Sequence, residues 1–329
     1  MTDLAGRLAA RVAGTYPLGE TYHFAALAAE MPAHIDRAQA LVADATGLAG
    51  EGEPTVEVVD RATWAERNID LFGRLVDPIR SSINRPLVDT IVRYETAAVL
   101  GALARRVLGQ YEMVLPGSGD VIYLVAPNVL ALERSQQFIP DEFRLWVALH
   151  EVTHRLQFTG VPWMREHFLG LVEALISASR PDPERLAQVV RRISAQLQSD
   201  EELVDETGLL GLFASEQQRA ELDRVQALMS VLEGHGHVLM DRIGEELLPS
   251  QGRMTALIRE RRNDPRLQRI MRLTGLEMKM RQYEVGERFV LGVEQQAGWD
   301  ALEALWESPE NLPSLDELES PRAWFKRVA

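Results

Sequence analysis

The chain has no cysteine in 329 residues. Disulfides are therefore excluded, and any metal site must draw on His, Asp and Glu. Aromatic residues are scarce, at 6%, while Ala, Leu, Arg and Glu are plentiful. That balance favours helix over strand. Positive charge is in deficit: 35 Lys and Arg face 49 Asp and Glu, for a net charge of −14. There is no dense basic stripe, so most of this surface would repel a phosphate backbone, and no nucleic-acid partner is expected. No stretch reaches the roughly 20 apolar residues of a membrane span, so no membrane partner is expected either. The N-terminal "MTDLAGRLAARVAG" interrupts its alanines with Asp3 and two arginines. It does not read as a signal peptide, and the expected address is cytoplasmic.

Apolar residues make up 46% of the chain, enough for a substantial core. The expected fold is mainly α, with residues 1–105 as an N-terminal helical bundle and 106–329 as a second domain. Residues 20–50 read as helices broken near Pro32. "GEGEPTVEVVD" (50–60) reads as a loop with a short strand. Residues 61–86 and 87–111 space their apolar side chains as helices do. The pattern then changes. "YEMVLPGSGDVIYLVAPN" (111–128) alternates Val, Ile and Tyr around a Pro-Gly-Ser-Gly turn, which predicts a β-hairpin. Further on, 180–214 reads as charged, broken helix, a lid or an insertion. Ser215 with Gln218 makes a capping-box pattern that opens a long helix. The proline-rich tail is expected to wrap the surface.

The chemistry is concentrated in "IPDEFRLWVALHEVTHRLQFTGVPW". Pro140, Asp141 and Glu142 suit the first turn of a helix, and Gly160 and Pro162 suit its end. On such a helix His150 and His154 lie about 40° apart, one turn above the other, so both imidazoles can reach one zinc ion. Glu151 points about 60° away from His154. It is placed to take a proton from an activated water, the role of a general base in metal-assisted hydrolysis. With 7 histidines in the chain, H-E-x-x-H arises by chance in roughly one such chain in a hundred. The apolar residues around it imply burial, and burying these polar groups without partners is costly. A metal supplies the partner.

The third ligand is not at the spacing H-E-x-x-H-x-x-G-x-x-H, because 157 is Gln and 160 is Gly. Glu233 in "SVLEGHGHVLMD" is the leading candidate, then His237, then Glu173. Glu233, His237 and Asp241 fall at i, i+4 and i+8 on one helix face. Gly234 and Gly236 would let another helix or the metal come close. Tyr283, His235 and Arg155 are candidate donors to a transition-state oxyanion. His167, His23 and His34 read as packing or surface residues. "VIYLVAPN" is expected to offer a strand edge to an extended peptide substrate.

With these residues assembled, the chain resembles a family of zincin-like metallopeptidases found mainly in actinobacteria and related bacteria. The resemblance rests on "LHEVTHRLQFTGVPWMREHFLG" (149–170), "MSVLEGHGHVLMD" (229–241) and "GLEMKMRQYEVGERFV" (275–290). Some members are labelled as associated with biosynthesis of the deazaflavin coenzyme. The resemblance implies a mostly helical zincin-like fold and a zinc ion on His150, His154 and Glu233, with Glu151 as base. His237 stands where such proteins often carry a carboxylate that orients a zinc-binding histidine.

The leading expectation is a zinc-dependent hydrolase, a metallopeptidase acting on a peptide or protein. The alternative is a non-catalytic, zinc-stabilised helical scaffold that binds a partner, with His237 closing a four-ligand site. A third reading, a part in coenzyme assembly, would need a basic phosphate pocket, and the sequence shows none.

Overall fold

The computed structural model describes residues 4–80, 86–112, 119–178, 216–262 and 278–329. The chain is mainly α, with one small sheet among the described residues. It divides into two compact units, one formed by Met1–Arg165 with Leu239–Gly252, the other by Glu166–Val238 with Arg253–Ala329.

In the first unit, α1 (Leu4–Ala13) packs on α3 (Arg61–Arg80) and α4 (Pro86–Leu103). Its Ala5, Ala9 and Ala13 are fully buried, and this i, i+4, i+8 stripe lets the helix backbones close together. Trp64, Ala97, Ala104, Tyr123 and Val125 complete that core. The segment expected to break near Pro32 is instead one helix, α2 (Tyr22–Thr46), with the proline inside it. Interior proline costs about 3 kcal/mol. Here Pro32 is exposed, while Leu27, Met31, Ile35, Ala38 and Val42 are buried. Each large apolar side chain so buried is worth about 1.5–3 kcal/mol, so the packed face outweighs the break.

The strands β1 (Thr55–Val59), β2 (Gly109–Glu112) and β3 (Val121–Val125) form a sheet in the order β1-β3-β2. β2 and β3 are the expected hairpin, antiparallel with Gly109 opposite Leu124 and Glu112 opposite Val121. Its turn, 113–118, lies outside the described residues. β1 adds in parallel on the other side, Thr55 opposite Val121 through Val59 opposite Val125. Two corrections follow. The strand ends at Val125, because Pro127 sits in the first turn of α5 (Ala126–Gln136) and cannot donate to a ladder. And among the described residues β3 is the middle strand, paired on both sides; the edges are β1 and β2.

The motif helix is α6 (Pro140–Thr159), with Pro140 in its first turn followed by Asp141 and Glu142. It packs against α2 and β2. Glu142 accepts hydrogen bonds from the backbone N–H of Ser250, at 2.9 Å, and from its hydroxyl.

The second unit contains most of α7 (Met164–Ala178), α8 (Glu216–Leu247) as far as Val238, α9 (Gln251–Arg262) from Arg253, and α10 (Met278–Ala297). α8 and α10 cross with backbones touching. A Cβ on Gly234 would collide with the backbone of Gly286, and one on Gly286 with the carbonyl of Ser230. Of the two roles expected for the α8 glycines, Gly234 thus serves the approach of another helix. The tail docks rather than merely wraps. In α13 (Pro321–Val328), reached after the short helices α11 (Ala304–Glu307) and α12 (Leu315–Glu319), Trp324 is fully buried. Its ring meets Phe289 edge-on at 5.2 Å, and its indole N–H donates to the Asn311 carbonyl at 2.6 Å. The expected lid or insertion at 180–214 and the Ser215–Gln218 cap lie outside what the structure describes.

Candidate metal centre

The motif helix is buried almost throughout. Glu151, Thr153, Arg155 and Gln157 are all inaccessible or nearly so, Gln157 fully. His150 and His154 bring their Nε2 atoms to 3.2 Å from each other, with ring centroids 4.5 Å apart and planes at 79°. Two ligand nitrogens at two corners of a tetrahedral zinc site, with bonds of about 2.05 Å, stand about 3.3 Å apart.

The outer nitrogens are engaged as well. His154 Nδ1 lies 2.9 Å from the side-chain oxygen of Gln157. His150 Nδ1 lies 3.1 Å from the sulfur of Met240. A thioether only accepts, so in the Nδ1–H tautomer His150 would donate to it. In the same tautomer His154 would donate to the Gln157 carbonyl oxygen. Each neutral ring then presents its Nε2 lone pair inward. A cation, or a proton on one of the two rings, can lie between nitrogens at this separation. The donor set therefore fits a divalent metal of the zinc type.

Glu151 is 4% exposed, and its carboxylate lies against the start of β2 at Gly109. Met240, on α8, connects the histidine pair to the other motif. Along that unbroken helix, Glu233, His237, Met240 and Asp241 fall at i, i+4, i+7 and i+8, which is one face. Glu233 and His237, one turn apart, are the ligand-type side chains this face offers beside Asp241. Asp241 accepts a hydrogen bond from the Gln251 amide at 2.6 Å.

The remaining candidates are placed as follows. His235, about 200° round the helix from Glu233 and from His237, is buried. It stacks on Trp299 at 5.6 Å and meets Trp306 edge-on at 5.1 Å, so this packing accounts for its burial. Tyr283 lies on α10, with its side chain outside what is described. Glu173 is on α7 and exposed. Arg155 faces a carboxylate. Its guanidinium donates to Asp120 at 2.6–3.0 Å, to Gln39 at 2.7 Å and to the carbonyls of Glu51 and Gly52 at 3.0 and 2.8 Å. Those bonds make it a brace between α6, α2 and the loop before β1. Tyr111 joins the brace, and burial together with Asp120 raises its pKa. Burial lowers the pKa of His34, on α2, and of His167, on α7.

Three contributors escaped the sequence reading: Gln157, Met240 and Gly109. Gln157 left a signal, an uncharged polar residue three places after a ligand histidine in a buried run. Met240 and Gly109 left none, since nothing local distinguishes them from core and strand residues.

A family model described as zincin-like metallopeptidase matches residues 2–325. A crystal structure from Chloroflexus aurantiacus, provisionally described as a hydrolase with a novel fold, is similar at 30% identity and a TM-score of 0.76, covering 98% of this chain and 97% of that one. No curated protein matches. Among the described residues, no helix is long and apolar enough to cross a membrane.

Proposed function

The chain belongs to the zincin-like metallopeptidase family, and from that premise we propose that it is a zinc-dependent peptidase. His150, His154 and Glu233 hold the ion, and Glu151 is the general base. The observation that carries this is the pair of Nε2 atoms at 3.2 Å, each ring anchored from behind by an acceptor. Glu233 is the third ligand of choice because it shares a helix face with His237 and with Met240, whose sulfur meets His150. The similar structure described as a hydrolase supports the reaction class.

Bound zinc supplies polarisation of a peptide carbonyl and acidification of water. Glu151 receives the proton of the attacking water and returns it to the leaving amine. Its burial among β2 and α6 keeps bulk water from competing for that proton. An extended peptide pairs along β2, an edge strand of the sheet, whose first residue touches Glu151. The cytoplasmic address belongs to this proposal.

A second reading rests on His237. It lies one turn from Glu233 on the same face of α8. If it joined His154 as a fourth ligand, the site would be closed and structural, a zinc-stabilised scaffold that cuts nothing.

The test is zinc content together with a peptide-library screen of wild type against Glu151→Gln. Zinc at one equivalent in both proteins, with cleavage by the wild type alone, supports the peptidase. Zinc in both with no cleavage, and a closed four-ligand site in the loaded crystal structure, supports the scaffold. No zinc at His150 and His154 overturns both.

A further inference from the structure

The outer faces of the two histidines carry information beyond the ligand set. Gln157 is on the same helix as His154, three residues on, and is fully buried. Met240 is 2% exposed. Neither side chain is open to solvent in the intact protein. The two acceptors are unlike: an amide carbonyl is a good acceptor and a thioether a weak one.

We propose that Gln157 is the principal positioning residue of the metal centre, fixing His154 in the tautomer whose Nε2 faces the ion, with Met240 doing the same, more weakly, for His150. The inference rests on the zinc reading above and names what tunes that site. A histidine ligand binds through one nitrogen only when its proton sits on the other, and the group that accepts that proton sets both tautomer and ring angle.

A glutamine at 157 also differs from a glutamate in a useful way. Its amide end carries an acceptor and a donor. With no zinc between them, a proton on one Nε2 makes the 3.2 Å contact a hydrogen bond. His154 can move its proton from Nδ1 to Nε2 if Gln157 turns its NH₂ group toward Nδ1. An ionised glutamate cannot donate, so it would hold His154 in the metal-binding tautomer throughout. Glutamine at this position thus makes the site tolerant of both the loaded and the empty state, and zinc uptake reversible.

The experiment is a zinc titration of the full chain against a chromophoric chelator, for wild type, Gln157→Leu, Gln157→Glu and Met240→Leu. Circular dichroism follows the fold of each. Long-range proton–nitrogen correlation on the zinc-loaded wild type reports the histidine tautomers. Gln157→Leu is expected to weaken zinc about 10–100-fold, Met240→Leu by less, and Gln157→Glu to tighten it. His150 and His154 are expected to carry their protons on Nδ1. Wild type that binds zinc while Gln157→Leu binds it equally well overturns this inference and leaves the zinc reading standing. So does a His154 proton on Nε2 in the loaded protein. Wild type that takes no zinc overturns both. If Gln157→Leu does not fold, the wild-type tautomer and the Gln157→Glu affinity decide.

Discussion

A methyl group on Gly109 would stand 2.6 Å from Oε1 of Glu151 and 2.7–2.8 Å from its Cγ and Cδ. The first residue of β2 is therefore shaped by the carboxylate that the proposed chemistry needs most. Glu151 is buried on its other sides, so the side chain has little room to retreat.

Gly109→Ala should push Glu151 out of position while leaving His150 and His154 in place. Zinc content is expected to stay at the wild-type level, while turnover falls at least about tenfold with little change in KM, since loss of a general base costs about 10²–10⁴-fold. Steady-state kinetics beside metal analysis checks this. Unchanged turnover would show that Glu151 works from elsewhere.

The α8–α10 crossing should tolerate no side chain. A Cβ on Gly286 meets the Ser230 carbonyl and stands 3.2 Å from Cα of Gly234. Backbone is met on both sides and cannot swing away. Gly286→Ala and Gly234→Ala are each expected to cost about 3 kcal/mol or more, the upper end for overpacking. Urea denaturation measures it; a loss below about 1 kcal/mol would mean the helices separate cheaply.

Arg155 should matter to stability rather than to turnover. The guanidinium is 1% exposed and the Asp120 side chain 30% exposed. Removing one partner of a buried pair costs about 3–5 kcal/mol, and the partial exposure of Asp120 lowers this to about 2–3 kcal/mol for Arg155→Met. Thermal melts should fall accordingly, while kcat/KM of the folded fraction stays within a few-fold. A large kcat loss with an unchanged melt would restore Arg155 as an oxyanion donor.

Acid should loosen the fold through His34 and His167. Burial lowers both below the ordinary value of 6.5. For His34, Asp141 and Glu30 oppose the shift while Arg144 and Arg37 add to it. For His167, Glu310 opposes and Arg224 adds. Above pH 6.5 both states are neutral and the full stability is present. As pH falls below 6.5, the unfolded chain takes up protons that the folded one resists, so stability declines. His34→Gln should flatten the fall in Tm between pH 7 and 5.5 relative to wild type. An identical slope in the variant would remove His34 from this account.

Much was legible where structure is set by neighbours in the chain. Pro140, Asp141 and Glu142 open α6 as helix N-termini are opened, and the helix ends at Thr159, before Gly160. The hairpin followed from alternation and turn residues, and the short strand after residue 50 from its Val-rich run. The spacing of His150 and His154 needed only the helical pitch. Pro32 does not break α2, because propensity is a local cost and the buried face of α2 is offset only by residues distant in sequence. The place of β3 in the sheet was not legible either, since its second partner, β1, lies more than 60 residues away.

The sequence by itself determined that two imidazoles and a carboxylate share one buried helix, because a period of 3.6 residues is fixed by backbone hydrogen bonding alone. Tertiary structure decided what surrounds them. It set Met240 behind His150, Gly109 against Glu151, the Asp120 brace on Arg155 and the tryptophans on His235. Those contacts depend on which apolar faces bury one another, a choice made by packing summed over the whole chain and written in no single stretch of it.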